Sequence, residues 1–109
     1  MKCRLAAFIG GFGVILGVAA AEPDISRQRE LVRLVRQDCG SCHGMLLTGG
    51  LGLPLTAMAL KDKPFEGLVA TVMYGRPGTA MPPWQTIITE PETEWIVRQL
   101  MAGFPEETR

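Results

Sequence analysis

Cys39-Gly40-Ser41-Cys42-His43 is the stretch of this 109-residue chain whose reading decides the fold. It has the form C-x-x-C-H, the attachment signature of a c-type haem. Two thiols spaced by two residues can add across the two vinyl groups of one haem. The adjacent imidazole then lies under the iron as proximal ligand. His43 is the only histidine in the chain, so a bis-histidine haem is excluded. Two other chemistries use the same cysteine spacing. A thioredoxin-type dithiol expects a βαβ setting, and no β pattern is present. A structural zinc site needs four ligands. Cys39, Cys42 and His43 offer three, and the remaining cysteine, Cys3, lies in a segment that reads as removable.

That segment is residues 1–21, which reads as a cleaved secretory signal peptide. Lys2 and Arg4 form its basic start, Leu5 to Ala20 is apolar, and Ala19-Ala20-Ala21 supplies the small residues of a cleavage site. As an uncleaved anchor, Leu5 to Ala21 is marginal in length and no cluster of charges follows at once. No stable membrane insertion is therefore expected after cleavage. Removing 21 of the 109 residues leaves 88, enough for one domain at 22–109. A core this small usually needs a staple. With both remaining cysteines committed, the haem itself fills that role. Covalent haem attachment on the exported side of the membrane agrees with a periplasmic location. Without Lys2 and Arg4, nine basic residues face eleven acidic ones. There is no polybasic run, which argues against nucleic acid as a partner.

The rest of the chain reads as short helices and loops. Asp24 to Asp38 is helical, with Leu31, Leu34, Val35 and Asp38 on one stripe and Arg27, Arg29, Arg33 and Arg36 mostly on a solvated face. Asp24 or Ser26 can cap its start. Gly44 to Leu53 is loop, and Leu55 to Leu60 forms a short helical turn. Pro64 to Tyr74 is a helix with Asp62 or Lys63 at the cap, Pro64 in the first turn, a buried stripe of Phe65, Leu68, Val69, Val72 and Met73, and Gly75 after its end. Thr89-Glu90-Pro91-Glu92 matches a capping box. The helix it opens runs to about Ala102, buries Trp95, Ile96, Leu100 and part of Gln99, and stops at Gly103.

A second axial ligand would make this haem a carrier of electrons rather than a binder of gas or peroxide. Six methionines are present. Met1 leaves with the signal peptide, and Met45 is too close to His43 to reach the opposite haem face easily. Met73 and Met101 lie on helix stripes, where methionine usually fills the core. Met58 sits in a short apolar turn. Met81 lies 38 residues after His43, in Gly75-Arg76-Pro77-Gly78-Thr79-Ala80-Met81-Pro82-Pro83-Trp84. Prolines there fix φ, so a thioether can be held at iron with little extra ordering. Met81 is the expected ligand and Met58 the runner-up. Trp84 and Arg76 are candidates for the haem propionates, and a half-exposed tryptophan and a solvated arginine suit them as well.

The order helix, C-x-x-C-H, Gly-rich loop, two helices, methionine loop and final helix resembles the class I cytochrome c family across residues 22–109. The resemblance implies an all-α fold of short helices around one covalently bound haem c, with the first and last helices packed beside it. It implies His43 and Met81 as axial ligands, the latter from a G-x-x-M-P loop. It also implies a proline carbonyl that accepts the histidine's second N–H. Gly52-Leu53-Pro54-Leu55 is the matching segment, so Pro54 carries this role, although Leu53 interrupts the family's G-P pair.

Asp38 to Met45, Gly49-Gly50-Leu51-Gly52, Gly75 to Thr79, Met81-Pro82-Pro83-Trp84, Trp95-Ile96-Val97 and Ala102-Gly103-Phe104-Pro105 are similar to the NirC family. These are small periplasmic cytochromes encoded with the cytochrome cd nitrite reductase of denitrifying bacteria. The likeness implies an electron donor to that reductase, or an electron-transfer participant in making its haem d; a monomer is expected. A third possibility, an open-site haem enzyme or sensor, would need Met81 displaced and polar groups over the iron. No second histidine exists to act there, and a carrier, not an enzyme, is expected.

Overall fold

The computed structural model describes residues 10–14 and 22–107, so most of the expected signal peptide lies outside the described residues. Among those residues every regular element is helical. Asp24 opens the first of them. Its extended backbone and its carboxylate, which accepts the Arg27 N–H at 2.8 Å, cap helix α1, Ile25–Leu34. The helical run does not stop at Asp38 as expected. It continues through a π-helical turn, Val35–Cys39, into α2, Gly40–His43, which carries the motif.

The π turn changes which side chains face inward. Gly40 N–H donates to the Val35 carbonyl five residues back, which widens the turn by one residue. Leu31, Val32 and Val35 are buried. Asp38, expected on that stripe, is exposed, and Cys39 packs against the core instead.

Two of the four arginines also depart from the solvated face assigned to them. Arg27 bridges Glu30 and, across to the last helix, Glu92. Arg36 donates to the carbonyls of Phe104 at 2.9 Å and Pro105 at 2.8 Å, with its guanidinium 5.4 Å above the Phe104 ring. Arg29 and Arg33 remain exposed.

Helix α3, Ala57–Leu60, is capped by the Thr56 hydroxyl, which accepts the Ala59 N–H at 3.2 Å. Helix α4 spans Phe65–Tyr74. Pro64 is its N-cap residue rather than its first helical residue, and neither Asp62 nor Lys63 caps it. With ψ at 130° the proline is still extended, so the helix begins one residue later. Val69 and Met73 are buried, while Phe65, Leu68 and Val72 are half-buried.

Helix α5, Glu90–Ala102, carries the expected capping box. Thr89 Oγ1 accepts the Glu92 N–H, and Glu92 Oε1 accepts the Thr89 N–H. Its remaining carboxylate oxygen takes Arg27. Thr93, Trp95, Ile96, Val97 and Leu100 are buried, Thr93 and Val97 in addition to the expected set.

This helix is the shared wall of the core. On one side it meets Leu31, Val32, Val35, Leu47, Leu60 and Ile88, and on the other Val69 and Met73. Burying each such side chain contributes about 1.5–3 kcal/mol. Leu47 is held at a φ of 60° to reach this core, where it is 2 % exposed. Its burial offsets a backbone strain of about 1–3 kcal/mol.

Candidate haem-binding site

His43 ends α2 with its ring already oriented. Its Nδ1–H donates to the Leu53 carbonyl at 2.7 Å, the protonation that leaves Nε2 with a free lone pair for a metal. The glycine loop that follows wraps back over the motif. Gly52 N–H donates to the Cys42 carbonyl and Gly49 N–H to the His43 carbonyl, both at 2.8 Å. These bonds satisfy carbonyls that the helix end would otherwise leave open. Gly52 lies against the imidazole itself. A Cβ there would stand 2.6 Å from Nδ1 and Cε1, so only glycine fits without moving the ring or the loop.

The carbonyl partner of His43 is one residue earlier than expected. Leu53, the residue that interrupts the G-P pair, supplies it rather than Pro54. Gly50 N–H closes onto the Gly52 carbonyl at 3.0 Å, and this tight turn puts Leu53 level with the ring. Pro54 acts one step removed. A proline biases the residue before it towards extended backbone, which helps aim the Leu53 carbonyl.

The two thiols are free and half-buried. Burial, with the neighbouring Asp38 charge, pushes the Cys39 thiol up to about 11. A redox dithiol needs a cysteine shifted the other way. Among the described residues no group of three or more His, Cys, Asp or Glu side chains is arranged to hold a metal. The surroundings suit a large apolar cofactor. Met45, Leu46, Leu51 and Leu53 on the loop after the motif stand between 64 and 83 % exposed. Cys39, Cys42, His43 and this apolar loop fit a covalently bound haem.

The second candidate segment is fastened to the end of α4. Trp84 N–H donates to the Val72 carbonyl at 3.0 Å and Gln85 N–H to the Met73 carbonyl at 3.2 Å. Arg76 N–H closes the loop onto the Met81 carbonyl at 3.1 Å. The Thr79 hydroxyl donates to the Arg76 carbonyl at 2.7 Å and lies 3.3 Å from the Met81 nitrogen, whose N–H it accepts. The loop can close this tightly because Gly75, at a φ of 70°, has no Cβ. One would meet the Met81 carbonyl oxygen at 2.6 Å. Met81 and Trp84 are half-buried, Trp84 against the main core. Arg76 is exposed, and Met58 on α3 is 74 % exposed. The sequence pattern did not point to the Leu53 carbonyl, to Gly52 behind the ring, or to Thr93, whose hydroxyl meets the Met73 sulfur at 3.1 Å. The departure from G-P at Leu53 was the available signal for the first.

Comparison with known proteins bears on the same residues. A family model described as cytochrome c oxidase, cbb3-type, subunit III matches residues 26–99. A cytochrome c55X of Pseudomonas aeruginosa is 54 % identical over 87 residues, covering 80 % of this chain and 73 % of its own length. A cytochrome c55X of Stutzerimonas stutzeri is 46 % identical over 94 % of this chain and 91 % of its own. One from Paracoccus denitrificans is 51 % identical over 81 % and 86 %. Among solved structures, a c-type cytochrome NirC matches with a TM-score of 0.72 at 54 % identity, over 73 % of this chain and 94 % of that one. The dihydro-heme d1 dehydrogenase NirN in complex with DHE matches with a TM-score of 0.61 at 27 % identity, over 71 % of this chain and 17 % of that one.

Proposed function

The chain belongs to the NirC-like class I c-type cytochromes and carries haem c through Cys39 and Cys42, and on that premise we propose that it is a periplasmic one-electron carrier with His43 and Met81 as axial ligands. In this reading residues 1–21 are a cleaved signal peptide and 22–109 the mature monomer. Its acceptor is a cytochrome cd nitrite reductase of denitrification. The haem supplies one-electron Fe(III)/Fe(II) cycling.

The observation that carries the reading is the locked imidazole. With Nδ1–H on the Leu53 carbonyl and Gly52 against the ring, His43 has little freedom to turn. An electron carrier works best when its ligands move little between oxidation states. Met81 suits the opposite face because its loop is held at both ends, by Arg76 N–H on its carbonyl and by the bonds of Trp84 and Gln85 to α4. A neutral thioether favours the reduced iron and raises the potential relative to a second histidine. No described helix is long and apolar enough to cross a membrane.

A second reading has one observation in its favour. The match to a segment of the dihydro-heme d1 dehydrogenase NirN suggests a part in forming haem d rather than in supplying turnover electrons. Stopped-flow mixing of the reduced protein with oxidised cytochrome cd nitrite reductase separates the two. Rapid oxidation of this haem, slowed only mildly by salt, is the expected result, since weak redox encounters use small contacts and few charges surround Met81-Pro82-Pro83. No oxidation by the reductase overturns the donor role and favours maturation. A rate that collapses with salt overturns the apolar contact at those three residues.

A further inference from the structure

The last turn of α4 is where the Met81 loop is hung. The carbonyls of Val72 and Met73 take the N–H groups of Trp84 and Gln85. A backbone shift at Met73 is therefore passed to Gln85, on the segment that follows Met81. Methionine is the most pliable of core side chains, with three rotatable bonds and no branch. Here its sulfur has a fixed partner. Thr93, fully buried on α5, has its hydroxyl 3.1 Å from Met73 Sδ and 2.9 Å from the carbonyl of Thr89. One hydroxyl hydrogen is shared between the two acceptors, so Thr93 ties the side chain of α4's last turn to the first turn of α5. That first turn is itself held by the Thr89–Glu92 capping box.

We propose that Thr93 is a positioning residue for the axial methionine: through Met73 it fixes the end of α4 and so holds the Met81 loop in its ligating position. The proposal rests on Met81 being the ligand. The chain of bonds runs from Thr93 Oγ1 to Met73 Sδ, and from the Met73 carbonyl to Gln85, four residues from Met81. Removing the hydroxyl at constant shape leaves the core filled but frees Met73. The loop then opens more often, and an added ligand competes better for the iron.

The test uses the haem-loaded protein and Thr93→Val, with Thr93→Ser as the variant that keeps the hydroxyl. Two quantities are read: the affinity for added imidazole, and amide hydrogen exchange at Trp84 and Gln85 relative to Leu31 on α1. Thr93→Val is expected to bind imidazole on the order of three- to tenfold more tightly, the span of one ordinary hydrogen bond. Exchange at Gln85 should rise by a similar factor while Leu31 is unchanged, and Thr93→Ser should restore both. Equal acceleration at Gln85 and Leu31, with imidazole affinity unchanged, means that Thr93 serves only global stability and overturns the proposal. The comparison of Gln85 with Leu31 can be read whichever residue binds iron. If it rises selectively while imidazole affinity stays fixed, and Met81→Ala also leaves imidazole affinity fixed, the ligand assignment has failed and the link from Thr93 to the axial position falls with it.

Discussion

Gly52 and His43 are in such close contact that the glycine forms the back wall of the imidazole. A side-chain carbon on Gly52 would fall 2.6 Å from two ring atoms, Nδ1 and Cε1, and 3.0 Å from Cγ. The same loop supplies the Leu53 carbonyl that sets the ring's protonation. Ring position and tautomer of His43, the proposed proximal ligand, are therefore both set by the loop from Gly49 to Leu53.

Gly52→Ala should keep covalent haem, because both thiols are untouched, yet disturb the ring. Overpacking of this kind costs about 1–3 kcal/mol. A lower melting temperature and a larger high-spin fraction in the visible spectrum are expected. A variant with the spectrum and melting temperature of the parent would show that the loop shifts aside and that the wall does not matter.

Replacing both Cys39 and Cys42 with alanine should leave an exported chain without covalent haem and largely unfolded. A domain of this size leans on its cofactor as a staple. Haem stain on a denaturing gel reads the first effect and circular dichroism the second. Stain surviving in the double variant would contradict attachment through these thiols.

Met81→Ala should abolish the methionine-to-iron charge-transfer band in the red, lower the potential and admit imidazole. Met58→Ala, at an exposed position on α3, should do none of these. The reverse pattern would move the ligand to Met58.

Acid should weaken the contact between α1 and α5. Burial opposes ionisation of Glu92, but its bonds to Arg27 and to the Thr89 backbone and hydroxyl outweigh that and hold its pKa below the usual 4.5. The Glu92 and Glu30 bonds shift Arg27 upward, so it stays charged throughout. Because the folded value lies below the unfolded one, this stability is present in full above about pH 4.5 and fades as pH falls through the folded value. Arg27 is more than a third exposed, which limits the pair to about 1 kcal/mol. Urea midpoints measured from pH 3 to pH 6 should rise with pH, and Glu92→Gln should flatten that rise. An unchanged slope in Glu92→Gln would assign the acid sensitivity to other carboxylates.

Much of the architecture was legible because the signals were local. C-x-x-C-H, the Thr89 capping box and the glycines at helix ends each act within a few residues, and each appears where its chemistry requires. Three features were not legible. The π turn at Val35–Cys39 buries Val35 and packs Cys39 against the core, and its sequence contains no residue that breaks an α-helix. Arg36 has the spacing of a solvated residue, and only the return of Phe104 and Pro105 to α1 gives it carbonyls to bind. The Leu53 carbonyl replaces that of Pro54 because the Gly50–Gly52 turn sets its register through backbone bonds; the interrupted G-P pair marked the departure but not the new partner.

The unbroken helical run from Ile25 to His43 acts as a ruler. Each residue added to an α-helix turns everything beyond it by about 100° and moves it about 1.5 Å. Beyond the one residue that the π turn takes up, an insertion between Asp24 and Cys39 has no loop to absorb it. It would swing both cysteines and His43 away from the Gly44–Leu55 loop that receives them, or pull Leu31 and Val35 out of the core. The widened turn already takes up one residue of such slack at Val35–Cys39. Length is thus under tighter constraint in this stretch than side-chain identity. An engineer wishing to lengthen the molecule has no such freedom along α1, nor at Arg76–Thr79, where the Thr79 N–H and hydroxyl both close onto the Arg76 carbonyl.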